Sequence, residues 1–528
     1  MKNQFLRAVT ILYILVPSFL FAYGWLRLPF AISTLMIFVG FSATIFTDFF
    51  HTYPSHHIFH EIKKRQIVSR DSIKGTVLIF LLLGIWLVFS GAGGIGFQNS
   101  DYKASNALLN DLITQDWPLV ANSGGIQVPV VYYVAYYLPS AVIGKAFGWV
   151  CANIFLFTWT FVGIMLAFGW FWNLSRIEFK NRAVKAGILL TGIFCLAGGL
   201  DYIGCVFGRH FFTPIAHIES WAHYFEYSSN TTLIYWVPQH TIATWLVIGM
   251  IVDALYHKHN LNYLGMVLTA GVIYSPFGIL GTAPYLLLIL FVYLRPQNRM
   301  FLWNWQSIVF NTLSIGIAAI YLLYLGSNQF KFPIGFIWQF SENNVDLAVH
   351  LLTFWCLEFA LLGSLTLLLI VLGILFSHST AISKRASHKW IILLEQEFNI
   401  TPMQLCLFLF SLSVLVILPL FKMGINNDLV MRASIPSLFI FWAFIAKVVA
   451  DISLRIRMKF KLLYILISII LTIGFFTSFN EIARSAIRYQ FGPPVLSNIL
   501  TTINANETEI VLQRIGSEDS LFYRYFGK

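Results

Sequence analysis

The polar residues between Gly94 and Val128, GIGFQNSDYKASNALLNDLITQDWPLVANSGGIQV, are where chemistry is most readily read in this chain. The stretch gathers Asp101, Lys103, Asp111 and Asp116 with Asn99, Asn106 and Asn110, in a protein that is 58% hydrophobic and 11% charged. A carboxylate two residues from an ammonium can serve as a base beside an anion clamp, with Asp101 in the first role and Lys103 in the second. Asn106 and Asp111 are candidate substrate contacts. The same residues also fit a juxtamembrane amphipathic helix, because Ala107, Leu108, Leu109 and Leu112 make an apolar stripe; both readings can hold together.

Three further polar islands follow. RHFFTPIAHIESWAHYFEYSSNTTLIYWVPQHTIATW holds His217, Glu219, His223, Glu226, Asn230, Gln239 and His240 among Trp and Tyr. His217 and Glu219 could ligate a divalent metal or contact sugar hydroxyls, and Gln239 and His240 could line the same pocket. GINNDLVMRASIP carries Asn427, Asp428 and Arg432. The i, i+4 spacing of Asp428 and Arg432 makes a local ion pair, or else leaves Arg432 to bind a phosphate that Asp428 orients. Glu358, in LLTFWCLEFALLG, is a carboxylate inside an apolar run, where it is costly and faces a cavity or a partner. Asp201 in AGGLDYIG is similar.

These groups need elements to hold them. With 50 Phe and 16 Trp, the composition departs from ordinary soluble domains. Apolar runs such as Val77–Ser90 with its flanks, Leu351–Phe376 and Leu463–Phe479 recur, each of a length to cross a bilayer core. Their continuity, without alternation, predicts helices. The expected fold is an all-α polytopic membrane protein of about 13 or 14 segments, comprising a membrane domain over 1–479 and a small extramembrane tail over 480–528. The outward loops are placed at about 94–128, 208–239, 326–350 and 421–433. The basic, apolar N-terminus reads as a retained first helix, since no small-residue cleavage pattern follows it.

Charge orients the segments. Nineteen of the 34 Lys and Arg lie in short clusters, from Lys63–Lys74 to Arg455–Lys461, with Lys2 and Arg7 at the N-terminus. By the positive-inside rule these are cytoplasmic. The opposite loops hold Arg27, Lys103, Arg209, Lys331, Lys422 and Arg432. Pro129–Lys145 and Phe147–Trp172 break the parity, so one of the two is expected to be re-entrant or interfacial, or else the Arg176 cluster lies outside. The net charge of +11 is therefore topological and no nucleic-acid partner is expected.

Several motifs carry little. The five cysteines sit in or beside apolar runs with no CxxC spacing. His51, His56, His57 and His60 suit an interfacial helix better than a metal face. GAGGIG at Gly91–Gly96 follows a membrane segment rather than a strand, so it fails as a dinucleotide fingerprint. No cofactor is expected, apart from a divalent metal at the His217 island.

The outward Asp101 loop followed by PVVYYVAYYLPSAVIGKAFGW resembles the GT-C superfamily of integral-membrane glycosyltransferases. The resemblance implies a many-helix fold whose first large outward loop bears an acid, here Asp101, acting as base or binding the acceptor. It also implies basic groups, here Lys103 and Arg432, on a polyprenyl-phosphate donor. The family's adjacent acidic pair is not reproduced, since Ser100 and Tyr102 flank Asp101. The expected activity is sugar transfer from a polyprenyl-phosphate donor to a glycan, lipid or protein acceptor at the outer face of a plasma membrane, a bacterial inner membrane by this reading. A transporter or flippase, or a polymerase or ligase of lipid-linked glycans, is the alternative.

Overall fold

The computed structural model describes residues 2–528 apart from 53–69, 124–125, 176–182, 208–215, 258–260, 331, 376–393, 396–397, 456–460, 491–498 and 500–512. His56, His57 and His60, Arg209, Lys331 and most of the basic clusters lie outside the described residues.

Among the described residues the protein is helical, with two short antiparallel strand pairs, the hairpin of Val120–Ser123 with Ile126–Pro129 and the long-range pair of Ile334–Phe336 with Phe421–Met423. Nine helical stretches among the described residues are long and apolar enough to cross a membrane: Gln4–Trp25, Leu28–Thr47, Trp149–Ser175, Val184–Val206, Pro276–Tyr293, Trp305–Leu325, Asn344–Leu375, Pro402–Leu420 and Lys461–Ile487. The chain is thus a multi-pass α-helical membrane protein. In hydrocarbon each backbone polar group needs an internal partner, and helices supply it within the segment.

Two helices form the centre. Pro238–Tyr256 is buried along almost its whole length, as is Ile435 to Ala450 of the Ile435–Arg455 helix. A helix that is apolar on all sides belongs inside a bundle. Association in lipid relies on close packing rather than on water exclusion, and Gly249 shows it. A Cβ there would stand 2.5 Å from Cγ of Trp170, so only glycine admits the indole.

Of the two segments that break the parity, Trp149–Ser175 is long and apolar enough to cross a membrane, whereas Leu138–Phe147 is a ten-residue helix preceded by an irregular turn. Lys145 donates to the carbonyls of Ile113 and Gln115, tying this short helix to the Asp101–Thr114 helix. Lys145 is thereby held at the C-terminal end of that helix.

The last long helix reaches Ile487, so residues 480–487 continue the final membrane helix rather than open the tail. Beyond it the chain returns across the same end of the bundle. Ile515 bridges Val130, Gly516 bridges Asn328, and Gly527 bridges Leu26. Arg27 closes this cap by donating to the carbonyls of Gly527 at 2.7 Å and Tyr523 at 2.9 Å. At the opposite end Arg7 pairs with Asp253, and His257 lies 3.1 Å from the same carboxylate.

Candidate functional site

Asp101 opens a 14-residue helix, Asp101–Thr114. Asn99 fixes that start: its Oδ1 accepts from the Asp101 N–H at 3.1 Å, and its Nδ2 donates to the Tyr235 carbonyl at 2.7 Å. One side chain thus ties the first polar island to the second. The Asp101 side chain reaches solvent, yet protein crowds it. Burial raises its pKa above the usual carboxylate range, while the charges of Arg432, Arg514 and His217 pull it down again.

The second island is built around Glu219. Its Oε1 accepts from the Ser229 N–H at 3.0 Å and from Thr232 Oγ1 at 2.8 Å, at the start of the Asn230–Trp236 helix. Asn230 and Thr231 anchor that helix to the carbonyls of Phe194 and Cys195. Burial, and then the charge of Asp201, raise the Glu219 pKa well above its ordinary value.

His217 stands between two carboxylates. Its Nδ1 is 2.9 Å from Glu481 Oε1 and its Nε2 is 3.7 Å from Glu226 Oε1. Burial lowers the His217 pKa, but hydrogen bonds to Glu226 and Glu481 outweigh it and raise the value. Glu226 moves the other way: burial alone would raise its pKa, and the bond to His217 brings it below the usual value. Glu481 also accepts from Trp236 Nε1 at 3.0 Å and from Arg484 at 3.4 Å.

The third island forms its local ion pair, with Arg432 Nη1 2.7 Å from Asp428 Oδ1. Asn427 is buried in the left-handed region at φ 57°, a conformation Asn tolerates well. Its amide donates to the Tyr224 carbonyl at 3.0 Å and its Oδ1 accepts from Met423 N–H. Asn427 thereby seats the Asp428–Ala433 helix against the second island. Arg432 acts electrostatically on Asp101, Tyr132 and Tyr133 as well as on Asp428. The guanidinium of Arg514 lies 4.3 Å over the Tyr132 ring.

His240 is fully buried at the start of the Pro238–Tyr256 helix, with Nδ1 3.0 Å from Ser275 Oγ and its ring against Tyr133 at 4.9 Å between centroids. Gln239 beside it is also buried. Glu358 sits on a π-turn, Cys356–Ala360, inside a membrane span, a distortion often found at functional positions. It hydrogen-bonds Asp201, whose other partners are Trp221 Nε1 and Thr477 Oγ1, each at 3.0 Å. Gly199 makes room, since a Cβ there would meet Glu358 Oε2 at 2.0 Å.

Of the residues singled out by sequence, His217 and Arg432 act electrostatically on Asp101, Asp428 pairs with Arg432, His217 acts on Glu219 and Glu219 on Glu358, and the His240 ring lies against Tyr133. Others are held elsewhere. Asp111 is buried and accepts from the Ile499 N–H at 2.9 Å and from Gln115 at 3.0 Å, so it anchors the returning tail. Asn106 donates to Gln98. Lys103 is exposed two residues on from Asp101, roughly 200° around the same helix. The cations acting on Asp101 are instead Arg432, Arg514 and His217. Sequence reading named Glu226 without assigning it a role, and passed over Glu481, Arg484 and Arg514. An acid and a base three residues apart at the end of an otherwise apolar helix were the available signal for Glu481 and Arg484.

No protein-family model, curated protein or solved structure matches this chain.

Proposed function

We propose that this protein is a membrane glycosyltransferase that moves a sugar from a polyprenyl-phosphate donor to an acceptor hydroxyl at the outer face of the membrane, with the N-terminus cytoplasmic. The observation that carries the reading is a crowded, solvent-reaching carboxylate, Asp101, under the field of two guanidinium groups, Arg432 and Arg514. A base with a raised pKa and a clamp for a leaving phosphate are the two things such a transfer needs.

In this scheme Asp101 takes the proton of the acceptor hydroxyl as its oxygen bonds to the anomeric carbon. The bond from that carbon to the phosphate oxygen breaks, and polyprenyl phosphate departs with its charge held by Arg432 and Arg514. The phosphate is already a competent leaving group, so positioning supplies much of the rate. Tyr132 and Tyr133, beside the two cations, give the sugar an aromatic wall.

A flippase of lipid-linked glycans is the second reading, favoured by the Asp201–Glu358 carboxyl pair inside the membrane spans. Proteoliposomes carrying the purified chain and a labelled polyprenyl-phosphate sugar separate the two. Release of polyprenyl phosphate together with a new glycosidic product supports transfer. Movement of intact lipid between leaflets with no bond made refutes it.

A further inference from the structure

We infer that His217, Glu219 and Glu226 form a binding site for one divalent cation of the kind that accepts imidazole and carboxylate together, Mn²⁺ or Zn²⁺. One ligand atom from each residue falls within 4.8 Å of the other two. Ligands on a tetrahedral ion at about 2.1 Å stand about 3.4 Å apart. His217 Nε2 and Glu226 Oε1, at 3.7 Å, are already close to that separation.

Two independent features point to an ion rather than to a chance cluster. The first is Glu219. Its residue is 1% exposed, and its Oε2 has no hydrogen-bond partner among the described residues, while Oε1 is fully occupied by Ser229 and Thr232. A buried carboxylate oxygen without a partner is expensive, and a bound cation removes the cost.

The second is the outer support. Glu481 engages His217 Nδ1 at 2.9 Å, so when an ion displaces the proton that Nε2 shares with Glu226, the remaining hydrogen stays on Nδ1 and the Nε2 lone pair faces the ion. A carboxylate behind a ligating imidazole is the usual way a protein fixes the tautomer and strengthens the ligand. Glu481 is itself oriented by Trp236 and Arg484, and Glu226 by Ser228 Oγ at 2.7 Å. Each of the three ligands thus has its own hydrogen-bonded holder. Two carboxylates and a neutral imidazole offset the charge of a divalent ion and leave coordination positions for an oxygen ligand from outside the chain.

The test uses the full chain in detergent, stripped with a chelator and dialysed against Zn²⁺ or Mn²⁺. Metal analysis is expected to find one ion per chain, and the Mn²⁺ form to show nitrogen coupling from one imidazole in pulsed electron paramagnetic resonance. Glu219→Gln and Glu226→Gln are expected to abolish stoichiometric binding, and Glu481→Gln to weaken it by about 10–100-fold. The nitrogen coupling needs no variant, so a misfolded mutant does not decide the matter. A monodisperse wild-type chain that takes up no stoichiometric ion, or one whose Mn²⁺ lacks nitrogen coupling, overturns the site, as does uptake unchanged in the two Gln variants. The assay contains no sugar lipid, so its outcome is separate from that of the transferase reading.

Discussion

Replacing Arg432 with Gln removes a charge while keeping a hydrogen-bonding side chain of similar reach. Asp428 engages the guanidinium through Nη1 at 2.7 Å, and Arg has five N–H donors, so a phosphate can still be gripped by two others. Charge-assisted hydrogen bonds contribute about 1.5–3 kcal/mol each. Allowing for what Gln retains, the loss comes to about 3 kcal/mol, or on the order of 100-fold in affinity at 1.4 kcal/mol per tenfold. Arg432→Gln is therefore expected to raise the donor KM by about that factor with kcat changed only a few-fold, the pattern of lost uniform binding. Initial rates in nanodiscs over a range of labelled polyprenyl-phosphate sugar measure both constants. Asp428→Asn is the control. It breaks only a partly exposed ion pair, worth about 0.5–1 kcal/mol, and leaves the cation in place. A donor KM in Arg432→Gln no higher than in Asp428→Asn refutes the phosphate role of Arg432.

Other expectations follow from the same geometry. Because burial raises the Asp101 pKa, kcat/KM is expected to fall as pH drops through that raised value, and Arg432→Gln to move the limb to still higher pH; a pH–rate profile that is flat there contradicts the base role. A folded pKa above the unfolded one contributes stability at low pH that is lost as pH rises through it, so Asp101→Asn is expected to raise the melting temperature at neutral pH while impairing activity. Asp111→Ala strands the Ile499 N–H and the Gln115 amide, which costs about 2–4 kcal/mol; faster hydrogen exchange at Ile499 reports it. Gly249→Ala sets a methyl 2.5 Å from Trp170 Cγ and is expected to destabilise the bundle by about 1–3 kcal/mol, read as a lower thermal midpoint in detergent.

What could be read from residue order was local or compositional. Uninterrupted apolar runs specify membrane helices, because hydrocarbon leaves the backbone no other means of satisfying itself. The Asp428–Arg432 pair was legible because one helical turn brings i and i+4 together. The short Leu138–Phe147 helix was legible only as a conflict in crossing parity, which charge placement exposed. Contacts between distant residues were not legible. His217 and Glu481 lie 264 positions apart, and the charge of Arg514 acts on Asp101 only because the tail folds back over the bundle. Lys103 drew attention by its closeness in sequence to Asp101, but helical geometry sends neighbours two apart to different faces. Asp111 looked like a site acid because an acidic residue in a polar loop gives no sign that a backbone N–H will claim it.

The decisive comparison is sugar transfer by Asp101→Asn against wild type, in proteoliposomes with donor saturating and both proteins equally folded. Wild type is expected to form the glycosidic product and the variant to be slower by about 10²–10⁴-fold, the usual worth of a positioned base, with the donor KM little changed. A variant that transfers sugar at the wild-type rate contradicts the base role of Asp101.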